Sequence, residues 1–412
     1  MNDTKKRHNR KLIFIPFLSL FYFLFFPCFI QAQDSTLNKK ETSRKKNILV
    51  GALYEYGYIF PSVKFLQGDN LKHMRIDKYQ SFSARIMFQN SGREKNPWYQ
   101  LYGYPYLGLG VWISDFYDIR EMGVPIAIYG FINGPFHRWN NLTFRYEIDL
   151  GMTGNWRHFN PVSNKYNIAI GAERTVFIHL GIGLAYRFSP HWEAELNMGV
   201  AHFSNGAIKV PNWGLNTFSP RVEVRYNIHG NAVLKEYEQP PFKRIMSLEI
   251  TPFVAIKNVV MLDSVNVNTT PDYQGVYFPI YGLRTTFNWQ ISHKSKFGVG
   301  MALTYDESKD FGIAVENGKL ILKRLPLLHG IRASIFPSYE LVIGPFSLLF
   351  QPGIYIYRQQ YHFQVPEFYQ RIGFKYTLAH HVTFGFSLRA YNFQVSEFIE
   401  WGVGYQFNWN KK

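Results

Sequence analysis

The sequence predicts an all-β protein, a transmembrane antiparallel β-barrel of roughly 14–16 strands. Three observations lead there. Stretch after stretch alternates apolar and polar residues with a period of two, and no segment sustains a helical period. Aromatic residues make up 18% of the 412 residues, with 37 Phe and 28 Tyr, yet the mean hydropathy is only −0.18. That combination excludes a bundle of apolar helices and fits strands that are greasy on one face and ringed by aromatic girdles. The N-terminus, finally, reads as an export signal.

That signal comes first in the chain. Lys5, Lys6, Arg7, Arg10 and Lys11 form a cationic region, Leu12 to Ile30 is apolar and Phe-rich, and Ile30-Gln31-Ala32 suits a signal peptidase. Residues 1–32 are therefore read as a signal peptide, although the apolar run is long enough to anchor if uncleaved. Cys28 is the only cysteine, so cleavage after Ala32 leaves a chain without disulfides or thiol chemistry. Residues 33–46, with Lys39, Lys40, Arg44, Lys45 and Lys46, read as a basic periplasmic lead.

Residues 47–229 form a first barrel half. Strand-like stretches fall near 47–59, 80–90, 98–113, 122–132, 140–153, 174–188, 190–204 and 215–229, with longer loops at 61–79 and 155–173. Residues 230–244 are polar, contain Pro240-Pro241 and break the pattern, which marks a linker. Residues 245–412 read as a second, degenerate half, a worn copy of the first. Its strands fall near 246–257, 274–290, 294–305, 317–324, 328–338, 343–358, 368–379, 382–392 and 398–409. An internal duplication of this kind fits one large barrel, the arrangement favoured here because tandem barrels are rare. The alternative is two eight-stranded barrels in tandem.

The chemistry concentrates at Ala201–Asn216. In the run from Trp192 to Asn205, one parity carries Trp192, Ala194, Leu196, Met198, Val200, His202 and Ser204; the other carries Glu193, Glu195, Asn197, Gly199, Ala201 and Phe203. His202 and Ser204 thus stand side by side, about 7 Å apart, at the end of a greasy face. In the next strand Phe218, Val222, Val224, Tyr226 and Ile228 share one face, and Asn216 sits at its top. The loop 206–215 joins the two, with Pro211, Asn212 and Gly214 as turn residues. A base and a hydroxyl on a lipid-facing wall point to a lipid substrate.

These residues resemble the PagL-type outer-membrane lipid A 3-O-deacylases. That family carries H-x-S-N near the end of its penultimate strand and then a turn with P-N-x-G; here the match is His202, Ser204 and Asn205, then Pro211, Asn212 and Gly214. The resemblance spans the first half of the chain and implies ester hydrolysis with Ser204 as nucleophile, His202 as base and an acidic third member. The sequence departs at that third member, where Asn216 stands in place of the expected Glu. An Asn can hold an imidazole in one tautomer, but it lacks the charge that stabilises an imidazolium. By the same resemblance the backbone N–H groups of Asn205 and Gly206 would hold the oxyanion. No cofactor and no metal are called for.

Two other readings stay open: a porin or transport barrel, which needs a wide lumen and is indifferent to His202 and Ser204, and a structural barrel that has lost activity. The formal charge is +16. In an exported barrel its anionic partner is the lipopolysaccharide surface, with no role for nucleic acid. The location expected is the outer membrane of a Gram-negative bacterium, and a homodimer is compatible with the sequence. Glu193, Glu195 and Glu223, with Arg221 and Arg225, share the inward parity and read as a lumen network. At the place of His202-Phe203-Ser204 the second half offers Tyr391-Asn392-Phe393.

Overall fold

The computed structural model describes residues 47–410 apart from 91–96, 231–233, 235–237, 240, 260–274, 317–318, 325–326, 360–365 and 394. The expected leader, the basic lead and residues 231–233, 235–237 and 240 of the 230–244 linker lie outside the described residues.

Eight strands come first: β1 (Asn47–Ile59), β2 (Lys78–Gln89), β3 (Tyr106–Asp115), β4 (Gly123–Trp139), β5 (Leu142–Trp156), β6 (Thr175–Arg187), β7 (Trp192–Ser204) and β8 (Leu215–Asn227). Each pairs antiparallel with the next, and β8 returns to β1 with Leu49 opposite Asn227 and Ile59 opposite Thr217. The first barrel is thereby closed. The second half contributes β9 (Ile245–Val259), β10 (Val276–Gln290), β11 (Ser295–Asp306), β12 (Phe311–Glu316), β13 (Lys319–Arg324), β14 (Ile331–Ile343), β15 (Phe346–Tyr357), β16 (Phe368–Thr377), β17 (Val382–Tyr391) and β18 (Val395–Asn410). All but β12 and β13 close a second barrel, with β18 against β9 from Trp401–Val254 to Asn410–Ile245.

The all-β, antiparallel barrel is as expected, but the preference for one large barrel is overturned: the chain folds into two closed barrels of eight strands each. Alternation specifies which face a residue takes, not which strand it pairs with, so both arrangements read alike in sequence. The expected strand at 317–324 is not a barrel strand. It is mostly β13, paired with β12 in a separate hairpin, and removing it leaves eight. The strand placed at 98–113 starts only at Tyr106, because Pro97–Leu101 is a short helix.

An eight-stranded barrel is just wide enough for its own side chains to fill. In the first barrel the end near the β7–β8 loop holds a buried aromatic core of Phe65, Tyr79, Trp112, Phe116, Tyr129, Trp156, Phe177 and Phe203. The rest is a network of buried charges. Arg225 meets Glu193 at 2.9 Å, Glu195 at 2.6 Å and Glu223 at 2.5 Å, and Arg85 bridges Glu223 at 2.9 Å and Glu147 at 3.0 Å. The expected lumen network is therefore present. The second lumen is filled in the same way, with Arg389 and Arg371 on Glu400, Arg332 on Asp306 and Glu397, and Lys375 between Glu249 and Glu340. Outward residues are the opposite: Leu180, Leu196, Met198, Val200, Val222, Val299, Met301 and Leu303 are exposed. A polar inside and an apolar outside are the arrangement of a barrel solvated by lipid.

The two barrels touch at both ends. At one end Tyr102 donates its hydroxyl to the Val342 carbonyl at 2.7 Å. At the other, the β7–β8 loop meets Asn258 and Ile399.

Candidate active site

β7 and β8 run side by side with His202 directly opposite Asn216. Their imidazole and carboxamide share the outer wall, and His202 Nδ1 lies 2.6 Å from Asn216 Oδ1. The Asn216 oxygen can only accept, so this bond places the proton on Nδ1 and leaves Nε2 with a free lone pair. Among the described residues no carboxylate comes within ion-pair distance of His202, so Asn216 alone orients the ring.

Both strands are anchored from inside the barrel. Phe203, between His202 and Ser204, points inward and stacks on Phe177 at 5.2 Å and Trp112 at 5.4 Å. On β8, Thr217 and Ser219 face the lumen. Thr217 lies 3.1 Å from the Tyr79 hydroxyl, Ser219 donates to Glu55 at 2.6 Å, and Tyr79 also donates to Glu55. Each outward residue of the site therefore has an inward neighbour held in a packed or hydrogen-bonded place, which fixes where the outward side chain emerges.

Ser204 closes β7 opposite Val176 and is largely buried. Strand parity assigns it to the same wall as His202, but it does not line the cleft, and no hydrogen bond joins the two among the described residues. Strand geometry sets them about 7 Å apart at Cα, a separation that side-chain rotation spans; such bonds commonly tighten only when substrate is present. The side chain of Asn205 closes the following loop on itself, donating to the Lys209 carbonyl at 2.7 Å. The backbone N–H groups of Asn205 and Gly206 donate to no backbone acceptor among the described residues. Lys209 lies in the same loop, and burial holds its ammonium below the usual lysine range.

The site opens onto a cleft of about 360 Å³ lined by Phe60, Ile178, Leu180, Val200, His202 and Asn216. Leu180 and Val200 also line a larger groove of about 990 Å³, which continues down the wall past Ile182, Met198 and Phe218 to Leu341 and Ile343 of the second barrel. Sequence parity finds the apolar lining from β6, β7 and β8. It does not find Phe60, the second barrel's wall, or the segment 168–171 that braces the loop through Trp213 N–H to Ile168 and Gly214 N–H to Ala169.

Outside this site, Glu147, Asp149 and His179 bring one ligand atom each to within 4.8 Å of one another. Arg221 already sits among them, 3.0 Å from Asp149 and 2.9 Å from His179 Nδ1, and a cation in that place leaves no room for a metal's charge. His380 and His381 stand in a short turn (Ala379–His381), not in a strand. In the second barrel Tyr391 faces the lumen, beside Arg332 at 3.4 Å, and Phe393, at the place of Ser204, is exposed but carries neither a base nor a hydroxyl.

No curated protein matches the sequence. Among solved structures the chain is similar to Neisserial surface protein A, at 11% identity over 44% of this chain and 97% of that one, with a TM-score of 0.29. It is also similar to the Pseudomonas putida toluene transporter TodX, at 8% identity over 90% of each chain and a TM-score of 0.17. For the siderophore receptor PirA from Acinetobacter baumannii the identity is 9%, over 85% of this chain and 57% of that one, with a TM-score of 0.24. The family models are specific: residues 83–225 match Lipid A 3-O-deacylase (PagL), and residues 246–409 match the acyloxyacyl hydrolase C-terminal domain. The first barrel thus matches the PagL lipid A 3-O-deacylase family, with the His202–Asn216 pair inside the matched region, and the second barrel matches the acyloxyacyl hydrolase C-terminal domain.

Proposed function

We propose that the chain is an outer-membrane esterase that removes an acyl chain from lipid A, working on the lipid-facing wall of the first barrel in a Gram-negative bacterium. The observation that carries this reading is the 2.6 Å His202–Asn216 bond beside Ser204, at the mouth of an apolar cleft, in a barrel that matches this family.

The roles follow from the chemistry. Ser204 Oγ attacks the ester carbonyl while His202 Nε2 takes its proton. The carbonyl oxygen becomes an oxyanion, which the N–H groups of Asn205 and Gly206 hold. The tetrahedral intermediate collapses, the sugar alcohol leaves with the proton from the imidazolium, and the acyl chain remains on Ser204. Water, deprotonated by His202, then releases the fatty acid. Asn216 keeps the ring oriented throughout but gives the imidazolium only a dipole. The departing acyl chain lies along Ile178, Leu180 and Val200, in the direction of the larger groove.

A porin would need an open lumen. Both lumens here are packed with buried ion pairs, which disfavours that reading. Lipid A from cells expressing the intact protein, compared by mass spectrometry with lipid A from cells expressing Ser204→Ala, tests the proposal. Loss of one acyl mass with the intact protein only is expected. Unchanged lipid A in both, with the barrel folded in the membrane, would sink it.

A further inference from the structure

The second barrel carries no counterpart of the His-x-Ser position on its wall, yet it reaches the loop that follows Ser204. Asn258, buried near the end of β9, donates its backbone N–H to the Ala207 carbonyl at 3.3 Å, and its side-chain oxygen accepts from the Val210 N–H at 3.3 Å. Ile399 of β18 packs so tightly on Gly206 that a Cβ there has no room. Three successive contacts therefore grip residues 206, 207 and 210 from the second barrel. On the opposite side the first barrel braces residues 212–214 through Gly171, Ile168 and Ala169.

The loop needs such a grip. Gly206 and Ala207 are both left-handed, with φ of +62° and +64°. A non-glycine residue in that region is strained and persists only where its surroundings hold it. In the same stretch the N–H groups of Asn205 and Gly206 have no backbone acceptors among the described residues. A relaxed loop would lose that arrangement first.

We infer that the second barrel is a positioning element for the hydrolytic site, with Asn258 as the positioning residue: it sets the loop that presents the oxyanion donors next to Ser204. The kinetic part of this inference rests on the hydrolase reading above; the structural part does not. Asn258 meets the loop at Ala207 and Val210, and its proposed effect on the site runs through those two contacts.

The test uses the full chain in lipid vesicles, with Asn258→Ala, Asn258→Asp and Ile399→Ala beside the unaltered protein. Hydrogen exchange of the 205–210 segment and kcat and KM on purified lipid A are both read. Folding of each barrel is checked by the heat-dependent shift in gel migration. Asn258→Ala is expected to speed exchange of that segment and to lower kcat roughly 10- to 100-fold with KM unchanged. Asn258→Asp, which keeps the acceptor for Val210, is expected to restore both. Ile399→Ala, a separate contact on the same loop, is expected to act in the same direction as Asn258→Ala. Unchanged exchange and unchanged kcat in folded Asn258→Ala would overturn the inference. If the unaltered protein releases no fatty acid, the hydrolase reading fails by itself, and exchange alone then decides whether Asn258 holds the loop.

Discussion

Gly214 closes over the imidazole of His202: a Cβ built on Gly214 would stand 2.8 Å from His202 Cε1, and the glycine's φ is +77°. The turn that brings the chain into β8 therefore also forms the lid on the ring that Asn216 holds from the other strand. Space and backbone conformation both demand glycine here.

Gly214→Ala should consequently displace the ring rather than unfold the barrel. Fatty-acid release should fall roughly 10- to 100-fold, since a 1 Å misplacement of a reacting group costs about that much. The gel-migration shift of the folded barrel should be unchanged. Full activity in Gly214→Ala would show that the ring's position is not set by this turn.

Asn216 offers a second handle. Asn216→Asp keeps the atom that accepts from His202 Nδ1 and adds a charge to stabilise the imidazolium. A hydrogen bond to a charged group is stronger than one to a neutral amide by roughly 1–2 kcal/mol, so an increase of about tenfold is expected. Asn216→Leu, which leaves Nδ1 unpaired, should lower kcat below that of the unaltered protein. Initial rates of fatty-acid release at neutral pH read both variants.

The lumen network makes a prediction about stability alone. Arg225 is buried among Glu193, Glu195 and Glu223. Arg225→Met leaves those carboxylates undercompensated, and breaking a buried pair from one side costs roughly 3–5 kcal/mol. Urea unfolding in vesicles, followed by tryptophan fluorescence, should show a lower midpoint. Arg225→Lys should recover part of the loss only, because an ammonium does not reproduce the guanidinium fork.

Phe203 joins stability to the site. Phe203→Ala removes a ring stacked on Trp112 and Phe177, and a core Phe→Ala change costs about 3–5 kcal/mol. Because Phe203 lies between His202 and Ser204, the protein that remains folded should also turn over more slowly. Urea midpoint and kcat should fall together; a lower midpoint with unaltered kcat would separate the core from the site.

Much of this was legible in the residues. The parity of Trp192–Ser204 places Glu193, Glu195 and Phe203 inside and Leu196, Met198, Val200 and His202 outside, and the strands obey it. His202 opposite Asn216 follows once the loop length is known. Closure was not legible, since the pairing of Leu49 with Asn227 leaves no mark in either strand's alternation. A clue did exist: inward residues this large and this evenly matched in charge suit a lumen that side chains fill, which is the eight-stranded size. The Trp98–Tyr102 segment misled because a run of aromatics looks strand-like whichever way the backbone turns. Asn258 and Ile399 were beyond sequence reasoning altogether, because their role depends on where one barrel meets the other.

The packed lumens have an electrical consequence. Two rods whose interiors are close-packed pairs of opposite charge offer solutes no aqueous path, so the protein should be an insulator. Planar bilayers holding many copies should show no stepwise conductance. A cell that fills its outer membrane with this protein would alter the lipid around it while leaving the sieving of small solutes where it was.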